Sequence, residues 1–125
     1  MNRDEQFEQG MSIRHEMFGP GGAADAIANA TPTTARFQEY VTRYCFGDTW
    51  SRPELSRRDR SLITVAMMVV MDKQHELGIH IRGALANGVT PEEILEVIMH
   101  SIPYSGLPTA GGALRTAEPI IGDDL

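Results

Sequence analysis

The stretch "KQHELGIH", Lys73 to His80, gathers two imidazoles and a carboxylate in one short run. On an α-helix, which turns about 100° per residue, Glu76 and His80 stack one turn apart, diverging by only about 40°. His75 and His80 diverge by about 140° and do not readily close on one metal ion. The zinc-protease pattern H-E-x-x-H is missed by one residue, because Ile79 stands in the second ligand's place. No metal site is expected. The Glu76/His80 pair keeps two readings. A carboxylate one turn before an imidazole fixes its tautomer and raises its pKa, giving a proton donor usable near neutral pH. The same spacing also makes an ordinary, modestly stabilising helix-surface pair. His80 falls within the stripe Leu77, His80, Ile81, Ala84 and Leu85, so it is either satisfied among core residues or lines a cavity.

Two further residues are placed to meet a ligand. Tyr104 lies in "IPYSGLP", read as a break between helices, and Trp50 precedes Arg52-Pro53 in a second break. Segments between rigid helices often carry ligand contacts. His15 and His100 read as surface or structural positions. Cys45 reads as a small apolar residue on a helical stripe, not a nucleophile. The "GPGG" turn at Gly19 to Gly22 lacks the spacing and the Lys-Ser/Thr ending of a phosphate loop.

Helical periodicity dominates the elements that must position these groups. Phe7, Met11 and Phe18 mark one face of a first helix that stops at Gly19. A second helix is expected after Thr31-Pro32, with Phe37, Tyr40, Val41, Tyr44 and Cys45 as its buried stripe. Ser56 and Asp59 read as a cap for "SLITVAMMVVM", which is apolar nearly all round and suits the centre of the fold or an interface between copies. Asp72 is the expected cap of the helix carrying Glu76 and His80, and Asn87-Gly88 its stop. "TPEE", Thr90 to Glu93, has cap, first-turn proline and N3 glutamate in order. A last helix runs toward Pro119. No segment alternates as a strand does, so the fold class is all-α, with about six helices.

A chain of 125 residues suits one domain, 1–125. A net charge of −6 with scattered basic residues argues against a general nucleic-acid surface. The longest apolar run, Leu62 to Met71, is too short to cross a membrane. One cysteine excludes an intrachain disulfide and suits a reducing cytoplasm, and the polar start is no signal peptide.

Taken together, "GMSIRHEMFG" (Gly10 to Gly19), "FGDTWSRPELSRRDRSL" (Phe46 to Leu62), "HELGIHIRGALANGVTPEEILEVIMH" (His75 to His100) and "YSGLP" (Tyr104 to Pro108) resemble the carboxymuconolactone decarboxylase family. The likeness is to its γ-carboxymuconolactone decarboxylase branch. It implies an alkylhydroperoxidase-like helical fold assembled as a homotrimer or homohexamer. Peroxidase relatives carry a Cys-x-x-Cys pair where this chain has Lys73 and Glu76, with His80 at the retained histidine. The implied reaction is cofactor-free: 4-carboxymuconolactone loses carbon dioxide to give 3-oxoadipate enol-lactone, in the protocatechuate branch of the β-ketoadipate pathway. The alternatives are a related lactone or enol-acid isomerase or hydrolase on the same scaffold, or a non-catalytic helical oligomer. In the decarboxylase reading His80, held by Glu76, donates the proton, and Tyr104 donates a hydrogen bond to the developing oxyanion. Arg14 and Arg60 are the expected anchors of the dicarboxylate lactone, and Trp50 or Phe46 the surface that desolvates the departing carboxylate. Phe46 stands where the branch commonly has Trp, and Gly111-Gly112 where small or amide residues are more usual.

Overall fold

A computed structural model describes residues 2–125. Among them are seven α-helices and no strand, in line with the all-α expectation. The additional helix, α2 (Ala24–Ala28), is too short for periodicity to reveal it. The chain divides into two compact units, the first ending at Leu55 and the second spanning Ser56–Leu125.

In the first unit, α1 (Arg3–Phe18) packs against a π-helical segment, Val41–Phe46, that continues α3 (Ala35–Tyr40). The π register is closed by the Gly47 N–H donating to the Thr42 carbonyl at 2.8 Å. Gly10 permits the close approach. A Cβ added there would lie 1.8 Å from the Thr42 carbonyl oxygen. The buried face of α1 is therefore Gly10, Ile13, Arg14 and Met17, while Phe7, Met11 and Phe18 are only half-buried. The expected stripe on α3 is also corrected. Phe37, Tyr40 and Tyr44 are 65%, 60% and 44% exposed, and the buried positions are Thr42 and Phe46. The Tyr40 and Tyr44 rings lie 4.8 Å apart, so the spacing does mark a common face, but that face is the exposed one.

The second unit is a four-helix bundle of α4 (Arg57–Val70), α5 (Gln74–Ala86), α6 (Pro91–Ser105) and α7 (Leu107–Ile121). Both α4 and α7 pack against both α5 and α6. The starts follow the sequence signals. Ser56 Oγ accepts from the Asp59 N–H at 3.0 Å, and Thr90 and Glu93 form a reciprocal capping box. Val65, Val69, Leu77, Ile81, Ile94 and Ile98 belong to the bundle's apolar core, each contributing about 1.5–3 kcal/mol by burial. Only one face of α4 enters it, leaving Ile63, Met67, Val70 and Met71 exposed.

Two turns differ from expectation. Lys73, not Asp72, is the N-cap of α5 and makes no side-chain cap. Asp72 instead takes a left-handed conformation, φ 56°, that turns the chain from α4 into α5. The break at "IPYSGLP" narrows to Gly106, whose φ of 89° ends α6. Pro103 lies inside α6, where it has no N–H to donate to the Met99 carbonyl one turn back.

Candidate functional site

His80 sits midway along α5, half-buried and flanked by the fully buried Leu77, Ile81 and Ala84. Glu76 is exposed one turn earlier. Two forces act on the imidazole. Burial disfavours its charged form, the Glu76 charge favours it, and burial prevails, so the His80 pKa lies below 6.5. This corrects the expectation of a raised value. Glu76 pulls in the expected direction, but an exposed carboxylate does not outweigh desolvation of the ring. His80 is mostly neutral at pH 7, a proton acceptor awaiting its proton. Among the described residues no three His, Cys, Asp or Glu side chains are grouped as metal ligands would be.

Tyr104 belongs to the last turn of α6, not to a loop, and is 78% exposed. Its ring lies 5.5 Å from that of His100. Both line a groove of about 580 Å³ between α4 and α6, floored by Leu62, Ala66, Val70 and Val97. Arg58 pairs with Glu93 at one end, while Val70 and Tyr104 share the other, so the two helices run side by side in one direction. His80 does not line this groove. From the sequence, His100 reads as a surface or structural position. The signal for its placement was the four-residue spacing of Glu96, His100 and Tyr104, which puts all three on one side of α6. Arg60, half-buried on the first turn of α4, accepts at its carbonyl from Thr64 Oγ1 at 2.8 Å.

The remaining candidates lie in the first unit. Arg14 is only 6% exposed. Its Nε donates to the Gly22 carbonyl at 2.8 Å and its Nη1 to Thr42 Oγ1 at 3.0 Å, and its guanidinium lies 5.9 Å from the Phe46 ring centre. These partners are all neutral, and burial lowers the arginine's pKa. Thr42, which sequence reading missed, is fully buried and also donates to the Gln38 carbonyl at 2.7 Å. Phe46 and Trp50 stack at 5.8 Å, Phe18 meets Phe46 edge-on, and all three adjoin Ile13 and Met17. Cys45 is half-buried and its thiol pKa is raised by burial, as suits an inert position.

Comparison with known proteins adds what geometry leaves open. The profile described as "Carboxymuconolactone decarboxylase family" matches residues 35–119. A 4-carboxymuconolactone decarboxylase from Acinetobacter baylyi is 35% identical over 123 residues, covering 98% of this chain and 92% of the relative. A nitrosuccinic acid decarboxylase from Metarhizium robertsii is 38% identical over 117 residues, covering 94% of this chain and 82% of the relative.

Proposed function

Because the chain belongs to the carboxymuconolactone decarboxylase family, we propose that it decarboxylates 4-carboxymuconolactone to 3-oxoadipate enol-lactone. The observation that carries this reading is the 35% identity to a protein of that activity across 98% of the chain. The family match crosses Leu55, and residues 1–125 are taken as one domain of this function.

The substrate supplies its own electron sink, so no cofactor is called for. Its departing carboxylate sits γ to the lactone carbonyl across a conjugated double bond. When the bond to that carboxylate breaks, carbon dioxide leaves and the electron pair passes into a dienolate. The α carbon then takes a proton. His80 is the proposed proton carrier. Neutral in the free protein, it gains its proton as the dianionic substrate arrives, because two added carboxylates favour imidazolium over imidazole. Glu76 supports the same charge. After transfer to carbon, His80 is neutral again and recharges from water.

Tyr104 is the proposed donor to the dienolate oxygen, Arg14 and Arg60 the carboxylate anchors, and Phe46 and Trp50 the apolar surface. These five roles rest on residue type and each is open to substitution. The proposed assembly is a homotrimer or homohexamer, supported by the exposed apolar face of α4, and the proposed compartment is the cytoplasm.

The 38% identity to a nitrosuccinic acid decarboxylase favours a second reading on the same chemistry. Nitrosuccinic acid is also a dicarboxylic acid, and its nitro group accepts the electrons left by the departing carboxylate. Carbon dioxide release from each compound separates the two. The first reading expects a kcat/KM for 4-carboxymuconolactone at least about a hundred-fold the larger, roughly 2.7 kcal/mol in the barrier. The reverse order establishes the second, and no release from either overturns both.

A further inference from the structure

A cleft of about 290 Å³ on the first unit is lined by Arg3, Arg36, Glu39, Tyr40, Arg43 and Tyr44. None of these residues is used by the proposed reaction. Three guanidinium groups face one carboxylate there, a local excess of two positive charges on a chain whose net charge is −6. Glu39 is shared, accepting from Arg3 at 3.0 Å and from Arg43 at 2.9 Å. Arg43 is held further by the Arg3 carbonyl and by the Phe7 ring, 5.0 Å from its guanidinium carbon. Two of the three cations are thereby fixed in place by one acid. Arg36 is exposed and makes no ion pair among the described residues.

The other wall is aromatic. The Tyr40 and Tyr44 rings lie 4.8 Å apart at 49°, and both are substantially exposed. Large exposed aromatic surface beside fixed cations is the composition of a recognition site. The tyrosines stand where α3 passes into the π segment, a rare geometry that recurs at functional positions.

We propose that this cleft binds a small planar dianion, an aromatic dicarboxylate being the class that fits. The ring lies against Tyr40 and Tyr44. One carboxylate engages Arg36, and the other the cations fixed around Glu39. Two charges match the local excess, and a cleft of about 290 Å³ has room for a single ring with its two acid groups.

The test uses the full chain and benzene-1,3-dicarboxylate, titrated calorimetrically. Saturable binding is expected, about ten-fold or more weaker for Arg36→Ala and for Tyr40→Ala, since each removes one of the two kinds of contact. Benzoate and succinate, each lacking one feature, bind more weakly by a similar factor. His80→Gln leaves the affinity unchanged, which separates this cleft from the proposed decarboxylation site. Absence of saturable binding overturns the proposal. So does binding that survives Arg36→Ala, or that is lost in His80→Gln.

Discussion

Thr42→Val removes the hydroxyl that joins a buried guanidinium to the π segment while nearly conserving volume. Two bonds go with it: Arg14 Nη1 to Thr42 Oγ1 at 3.0 Å, and Thr42 Oγ1 to the Gln38 carbonyl at 2.7 Å. A hydrogen bond to a charged group is worth about 1.5–3 kcal/mol and a neutral one about 0.5–1.5. The combined loss is about 2–4.5 kcal/mol, a large share of a stability of roughly 5–15 kcal/mol. Thr42→Ser keeps both bonds and sheds one methyl, costing about 1 kcal/mol. Urea unfolding is the assay, followed by the fluorescence of Trp50, the one tryptophan, which stacks on Phe46 beside Arg14. A double-mutant cycle with Arg14→Met isolates the pair. If the bond is as drawn, the double variant loses about 1–2 kcal/mol less than the two singles summed. The reasoning is refuted if Thr42→Val unfolds within about 0.5 kcal/mol of the parent, or if the two changes add strictly.

The remaining predictions concern packing, capping and pH. Gly10→Ala places a methyl 1.8 Å from the Thr42 carbonyl oxygen, and a thermal melt should report a loss of about 1–3 kcal/mol or more as α1 moves off the π segment. Thr90→Ala breaks the capping box of α6 and should cost about 0.5–2 kcal/mol in urea unfolding, with Thr90→Ser largely neutral. Because burial depresses the folded pKa of His80 below 6.5, the unfolded chain takes up that proton first on acidification. The resulting stability is complete above pH 6.5 and is lost as pH falls through the folded value, so urea midpoints between pH 7.5 and 5 should decline less in His80→Gln.

What was legible in the sequence was local. The caps at Ser56 and Thr90, the stop at Gly88 and the shared face of Glu76 and His80 depend on residues within one or two turns of each other, and they stand as read. The sign of the His80 shift was not local. It is set by burial, which only the packed bundle decides. Phe37, Tyr40 and Tyr44 have the spacing of a core stripe and are exposed, because periodicity finds a common face without saying what covers it. Arg14 shows the same limit from the other side. Its partner Thr42 lies 28 residues away, beyond any spacing rule, so spacing does not reveal a guanidinium buried among neutral groups.

The central claim, that a metal-free Glu76/His80 pair carries the proton in a decarboxylation, is tested most directly at His80. Turnover of 4-carboxymuconolactone by His80→Gln, followed as carbon dioxide release, should fall about 10²–10⁴-fold with the far-ultraviolet circular dichroism spectrum unchanged. Turnover at the parent rate in a folded His80→Gln protein contradicts the claim.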